Sequence, residues 1–345
     1  MLSKIIAESL ITDTRQYIEN ANNIIIITHI SPDGDAMGSA LGVYHFLSSL
    51  NKKASIVVPN KFASFFNWMP AATDIFIYEV QEEKINQLIS VADLIIMTDF
   101  NTLSRIGALQ EIIEKFTGDK ILIDHHRNPD LNIANIIISY PHISSTSEIV
   151  FRLIYRMGFS ETMNNCCATS IYTGMMTDTG AFTFNSNNPE IYFIISELLT
   201  KGIDKDQIYN NIYNTYSADR LRLMGYALTA KMEVLDEYKT AIITLTADEL
   251  EHYNYQEGDT EGFVNLPLSI KGVVCSILIK ENTTHVKLSF RSRGSFPVNL
   301  IASNYFHGGG HINAAGGESY ESINQTFKRV KEILPLYKEQ LNSID

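Results

Sequence analysis

The sequence predicts an α/β protein of two domains, and three observations carry that reading. Short apolar, β-branched runs alternate with helical patterns through the first part of the chain. The last third is patterned differently, with strands, a glycine-rich segment and one final helix. The length, 345 residues, exceeds what a single core usually organises. A composition that is 45% hydrophobic and 19% charged is that of an ordinary globular chain and excludes a disordered or collagen-like one.

Asn23, four isoleucines and Thr28 form a β-branched run bounded by polar residues, which reads as a buried strand. Further strands are expected at 54–58, 74–78, 94–98 and 121–123, with helices at 38–50, 82–89 and 107–116 between them. Such alternation implies a parallel sheet covered by helices on both faces. Sheets of this kind bind ligands where loops leave the carboxyl ends of the strands. Helical spacing recurs at 145–156, 164–175 and 189–199, the last stopped by Gly202, and again at 204–236. The polar, Tyr- and Asn-rich stretch 209–216 marks a connector. Strands at 240–244, 273–279 and 286–290 then lead to the glycine-rich segment.

Charge narrows the partners. Against 27 Lys and Arg stand 39 Asp and Glu, a net charge of −12. A protein that wraps long duplex nucleic acid gains affinity by neutralising phosphates and should be basic, so that partner is excluded. A small phosphorylated ligand in a locally cationic pocket is not. Cys166, Cys167 and Cys275 lack the spacing of a disulfide framework or a zinc site and read as buried small apolar residues. The amino-terminal segment carries Glu8 and Asp13 at helical spacing, unlike a signal peptide, and nowhere do 18 apolar residues follow one another. A soluble, cytoplasmic protein without a membrane partner is expected, with homo-oligomerisation left open.

Four acidic or imidazole clusters each follow an apolar strand or helix. They are His29-Ile-Ser-Pro-Asp33-Gly-Asp35, Asp99, Asp124-His125-His126 and Asp178. Parallel strands bring the first three to one sheet edge, with Asp178 arriving from beside it. Taken singly, each cluster reads equally well as a helix cap, a role open to Ser31 or Asp35. Together, so many carboxylates cannot share a cleft as bare charges, and divalent cations relieve the cost. Carboxylate and imidazole ligands without thiolate suit Mn²⁺, or Mg²⁺, Co²⁺ and Fe²⁺. Two such ions would activate water for attack on a phosphoester, with Asp99, alone in its loop, as the natural bridge. No G-x-S-x-G signature or P-loop supports a rival scheme.

The second half adds an anion-binding signal. Lys271, Lys280, Lys287, Arg291 and Arg293 stand against Glu281 alone over 271–293. Arg291-Ser292 ends a strand, and Gly308-Gly309-Gly310-His311 precedes Ala314-Ala315-Gly316-Gly317. Glycines let backbone N–H groups approach an anion, and a short helix starting near His311 would aim its positive end there.

This ordered set of motifs resembles the DHH phosphoesterase superfamily with its DHH-associated C-terminal domain, in the branch that combines nanoRNase and pAp phosphatase activity. Family II pyrophosphatases share the amino-terminal motifs but lack Gly-Gly-Gly-His, and RecJ-like exonucleases are usually longer. The resemblance implies a metal-binding catalytic domain at 1–185, a helical linker at 186–232 and a smaller substrate-binding α/β domain with a mixed sheet at 233–345. It implies two Mn²⁺ ions, one held by His29, Asp33 and Asp99 and the other by Asp35, Asp99, His125 and Asp178. Asp124 would orient a ligand imidazole, and His126 would face the substrate phosphate. Arg291, Ser292, Gly308, Gly309, Gly310 and His311 would bind the substrate's other phosphate. The implied substrates are very short single-stranded RNA oligonucleotides and 3′-phosphoadenosine 5′-phosphate (pAp). The alternatives are a phosphodiesterase for linear pApA or cyclic di-AMP and a catalytically idle nucleotide-binding protein.

Overall fold

The computed structural model describes residues 2–344, which form two compact units dividing between Thr215 and Tyr216. The first unit opens with α1 (Glu8–Asn20), β1 (Asn23–Ile27), α2 (Gly34–Ser49), β2 (Lys53–Val58), β3 (Phe76–Ile77), α3 (Tyr78–Ser90) and β4 (Leu94–Thr98). It continues through α4 (Gln110–Lys115), β5 (Asp119–Asp124), β6 (Ile136–Ser139), α5 (Thr146–Arg156), α6 (Asn165–Asp178), α7 (Pro189–Thr200) and α8 (Lys205–Tyr213). Its six strands pair in parallel in the order β3-β2-β1-β4-β5-β6.

Both faces of this sheet are buried, and β1 shows why an unbroken isoleucine run suits it. Successive side chains alternate between faces. Ile24 and Ile26 join a core with residues of α1, α2, α5 and α6, while Ile25 and Ile27 join another with α3 and α4. From β1 the chain steps outward through β2 and β3, then returns to place β4 on the other side of β1. The loops after β1 and β4 therefore leave in opposite directions, opening a crevice at the carboxyl ends of these two strands.

A close helix pair lines that crevice. A Cβ built on Gly34 would meet the Thr177 side chain, and one on Gly42 would sit 2.8 Å from the Ile171 side chain. At Gly38 it would lie 2.6 Å from the backbone of Gly174. One glycine per turn of α2 thus lets α6 approach to backbone contact, fixing the helix whose last residue is Asp178.

The second unit comprises α9 (Ala218–Ala230), β7 (Met232–Leu235), β8 (Thr240–Leu245), α10 (Ala247–His252), β9 (Cys275–Glu281) and β10 (Val286–Ser292). After these come α11 (Val298–Tyr305), β11 (Gly309–His311), β12 (Ala314–Ser319), α12 (Ile323–Ile333) and α13 (Lys338–Asn342). Its sheet, in the order β11-β12-β10-β9-β8-β7, is mixed: β8 and β9 are parallel and the other pairs antiparallel. Ile277, Ile279, Leu288 and Phe290 share a core with α11 and α12, and Ile243, Leu245 and Leu278 share another with α9 and Phe263.

Several expectations need correction. The helix expected over 204–236 is α8 and α9, separated because the Ser217 hydroxyl accepts the Arg220 N–H and starts a new helix; 232–235 is an edge strand. Of the expected linker, Ile191, Ile194, Leu198, Ile208 and Ile212 of α7 and α8 lie in the first unit's core, whereas Leu223 and Ala227 of α9 lie in the second's. No helix starts near His311: the glycine-rich segment is the hairpin β11–β12. A Cβ on Gly308 would fall 2.0 Å from the Gly316 carbonyl oxygen, so glycine serves close approach of two chains there rather than a helix start. Cys167 and Cys275 are buried but Cys166 is partly exposed. No helix among the described residues is long and apolar enough to cross a membrane.

Replacing Gly38 by alanine should force α2 and α6 apart and cost about 1–3 kcal/mol, read as a lower urea midpoint. Gly225→Ala, in α9 with no atom within 4 Å of the new Cβ, should instead gain about 0.5–1 kcal/mol. A Gly38→Ala protein as stable as the parent would refute the close-contact role.

Candidate metal centre

The loop after β1 carries His29 and Asp33, and Asp35 lies in the first turn of α2. Asp33 caps α2, its Oδ1 accepting the N–H of Asp35 at 3.0 Å and of Ala36 at 3.1 Å, so the cap is neither Ser31 nor Asp35. Asp35 is buried in the first turn, where both of its oxygens accept N–H groups from the start of α5: Thr146 at 2.6 Å and Ser147 at 2.9 Å. Asp99 follows β4 in the left-handed region, with φ of +67°. That conformation is uncommon for a residue bearing a Cβ and tends to mark functional loops. Its N–H donates to the Ile123 carbonyl at 3.0 Å and its Oδ1 accepts the Thr146 hydroxyl at 2.7 Å.

Two imidazoles face these carboxylates, each set by its own backbone contact. His29 Nδ1 donates to the Ile30 carbonyl at 2.8 Å and His125 Nδ1 to the Ile143 carbonyl at 3.2 Å. A carbonyl only accepts, so the Nδ1 atoms carry hydrogen and the Nε2 atoms turn to the acidic groups. His29 Nε2 lies 3.5 Å from Asp99 Oδ2 and 4.0 Å from Asp33 Oδ1. His125 Nε2 lies 3.6 Å from Asp178 Oδ2, 3.7 Å from Asp99 Oδ1 and 3.8 Å from Asp35 Oδ2. The imidazole that Asp124 holds is that of His126, through Nδ1 at 2.7 Å, because the Ile143 carbonyl already occupies Nδ1 of His125. All eight first-unit residues singled out from the sequence therefore meet at the crevice.

These separations test whether the group fits a metal. Gaps of 3.5–4.0 Å exceed a hydrogen bond, yet suit atoms arranged around a shared cation. Ligand atoms of His29, Asp33 and Asp99 lie within 4.8 Å of one another, as do those of Asp35, Asp99 and His125, and those of Asp99, Asp124 and His126. Asp99 is common to these three first-unit sets. The donors are oxygen and imidazole nitrogen without sulfur, as hard or borderline divalent ions prefer.

Without an ion the charges are poorly matched. Burial, reinforced by the charges of Asp35 and Asp33, holds the Asp99 carboxyl well above the usual carboxylate range. Burial opposes a charge on His125, but Asp178, Asp35, Asp99 and Asp124 outweigh it and raise its pKa to about 10. Burial pushes His29 down, toward the neutral ligand form. Burial also works against ionised Asp124, but its hydrogen bond to His126 prevails and lowers its pKa.

In the second unit, Arg291 of β10 and His311 of β11 both pair with Ala314 of β12, which places them on one face of the sheet. Ser292 is buried, its hydroxyl donating to the Phe296 carbonyl at 2.7 Å and accepting from Asn313 Nδ2 at 2.8 Å. Asn313, which no motif singled out, also reaches the Gly294 carbonyl at 3.0 Å and ties the hairpin turn to the end of β10. The other residues missed in sequence are Thr146 and Ser147, which open the helix expected over 145–156.

Residues 23–175 match the DHH family, N-terminal domain, and residues 238–336 match the DHHA1 domain. The bifunctional oligoribonuclease and PAP phosphatase NrnA of Thermus thermophilus is 31% identical over 90% of this chain and 88% of its own length. The cyclic-di-AMP phosphodiesterase GdpP of Geobacillus thermodenitrificans is 25% identical over 94% of this chain, which spans 49% of that protein. Among solved structures, an exopolyphosphatase-related protein from Bacteroides fragilis superposes with a TM-score of 0.95 at 51% identity, covering 99% of this chain and 100% of that one.

The surrounding carboxylates favour a proton on His125, its pKa raised to about 10, so a cation bound at its Nε2 would have to displace that proton. Affinity for Mn²⁺ should rise with pH from about 7 toward about 10, with on the order of one proton released. Calorimetric titration in buffers of different ionisation enthalpy checks this; uptake with no proton release and no pH dependence would contradict it.

Proposed function

The chain belongs to the DHH phosphoesterase family, with its N-terminal DHH domain followed by a DHHA1 domain, and on that footing we propose that it hydrolyses nanoRNA to mononucleotides and pAp to AMP and phosphate. The observation that carries the reading is the division of one carboxylate: Asp99 turns Oδ2 to His29 and Oδ1 to His125. A side chain so placed suits a bridge between two divalent ions, for which Mn²⁺ is our choice. When bound, such a pair supplies an acidified water and draws charge from the phosphoryl oxygens during in-line displacement.

The chain's own residues do the rest in this reading. His29, Asp33 and Asp99 hold one ion, and Asp35, Asp99, His125 and Asp178 the other. Asp124 fixes the ring of His126, and we assign that imidazole to the substrate phosphate. Arg291 and His311, flanking the small Ala314, suit an anion lying on the sheet face. Of the glycines, Gly309 shares the His311 face and adds no side chain to it, Gly308 and Gly310 keep β11 close to β12, and Ser292 acts through the loop it staples to Asn313. We assign catalysis to 1–185 and substrate binding to 233–345, with 186–232 as a connecting segment whose α7 and α8 pack on the first core and α9 on the second. The net charge of −12 supports short substrates, since a long anionic strand is repelled where a dinucleotide needs only a few cations.

The purified protein with Mn²⁺ should turn over a diribonucleotide and pAp, and leave a long RNA strand, pyrophosphate, inorganic polyphosphate and cyclic di-AMP largely intact. Asp99→Ala should lower kcat by about a thousandfold or more with an unchanged circular dichroism spectrum. Exclusive turnover of cyclic di-AMP or polyphosphate would replace the proposed substrate. Wild-type rates for the Asp99 variant would remove the proposed centre.

A further inference from the structure

Resting on the two-ion reading above, we propose that Thr146 is a positioning residue that sets the plane of the Asp99 carboxylate and so keeps its two oxygens divided between the two ion positions. The terminal torsion of an aspartate is broad and nearly two-fold, so the side chain alone does not choose this plane. The Thr146 hydroxyl does, donating to Oδ1 at 2.7 Å and leaving Oδ2 toward His29. Thr146 is itself fully buried and β-branched, which restricts its own rotation and makes it a stiff support.

The same residue also steadies the second ligand set. Its N–H and that of Ser147 take the two oxygens of Asp35, so one turn of helix holds carboxylates from the first turn of α2 and the loop after β4. That turn is in turn anchored from below. Ser145 Oγ accepts the Glu148 N–H at 3.0 Å, and Glu148 takes the Ser144 N–H at 3.2 Å and Arg152 Nε at 2.8 Å. Arg152 reaches on to Glu190 of α7 at 2.8 Å. Glu148 and Arg152 are 1% and 2% exposed. Burying such a pair contributes little net stability, but its geometry is specific, as a mount for a catalytic centre requires.

Thr146→Val keeps the shape and the backbone N–H to Asp35 and deletes only the hydroxyl on Asp99. Thr146→Ser restores that hydroxyl. Binding of Mn²⁺ without substrate is measured by calorimetry, and the loaded proteins by electron paramagnetic resonance, which reports exchange coupling through the shared carboxylate. Wild type and Thr146→Ser should each bind two ions and give a coupled spectrum. Thr146→Val, with melting temperature and circular dichroism close to wild type, should bind its weaker ion at least about tenfold less tightly and lose or alter the coupling. Thr146→Ala carries the same comparison if the valine variant does not fold. A hydroxyl-free variant that binds both ions with wild-type affinity and coupling overturns the role of Thr146 alone; a wild-type protein that binds no pair of ions overturns the two-ion reading and this inference with it.

Discussion

Asp35, Asp99 and Asp124 are buried beside one another, with Asp33 and Asp178 at the margin, and like charges at that depth oppose one another's ionisation. Burial and the neighbouring carboxylates favour the protonated form of Asp99, and the neighbouring carboxylates that of His125. Neither is the form in which the side chain best ligates a metal. A fold that brings these groups together against their repulsion is held by something other than their mutual attraction.

That support comes from backbone groups and from small residues. N–H groups at the starts of α2 and α5 donate to the carboxylates of Asp33 and Asp35, and carbonyls of Ile30 and Ile143 fix the imidazoles of His29 and His125. The glycine face of α2 brings α6 close enough for Asp178 to stand 3.6 Å from His125. The strained backbone of Asp99 is tied to Ile123 and its side chain to Thr146. The hydrogen-bonded supports gather at the carboxyl edge of a parallel sheet buried on both faces.

Much of this was legible in the sequence because it depends on periodicity and on strand ends. The isoleucine run of β1 fits a strand whose two faces enter separate cores, and His29, Asp99 and Asp124 each follow a recognisable apolar run. Sequence reading failed where residues act through partners distant in the chain. The hydroxyl of Thr146 meets Asp99 only after folding, and Gly38 finds Gly174 across a helix crossing. Glycine is equally ambiguous in Gly308–His311, where room for an anion and room for another strand leave the same mark, and the fold uses the second. Ser217 was overlooked because a cap inside a long helical pattern is one residue against many.

Anomalous diffraction from crystals soaked in Mn²⁺ tests the central claim most directly. Two peaks should appear on either side of the Asp99 carboxylate, one beside His29 and Asp33 and the other beside Asp35, His125 and Asp178. A single peak away from Asp99, or none at saturating manganese, would contradict the shared-carboxylate centre.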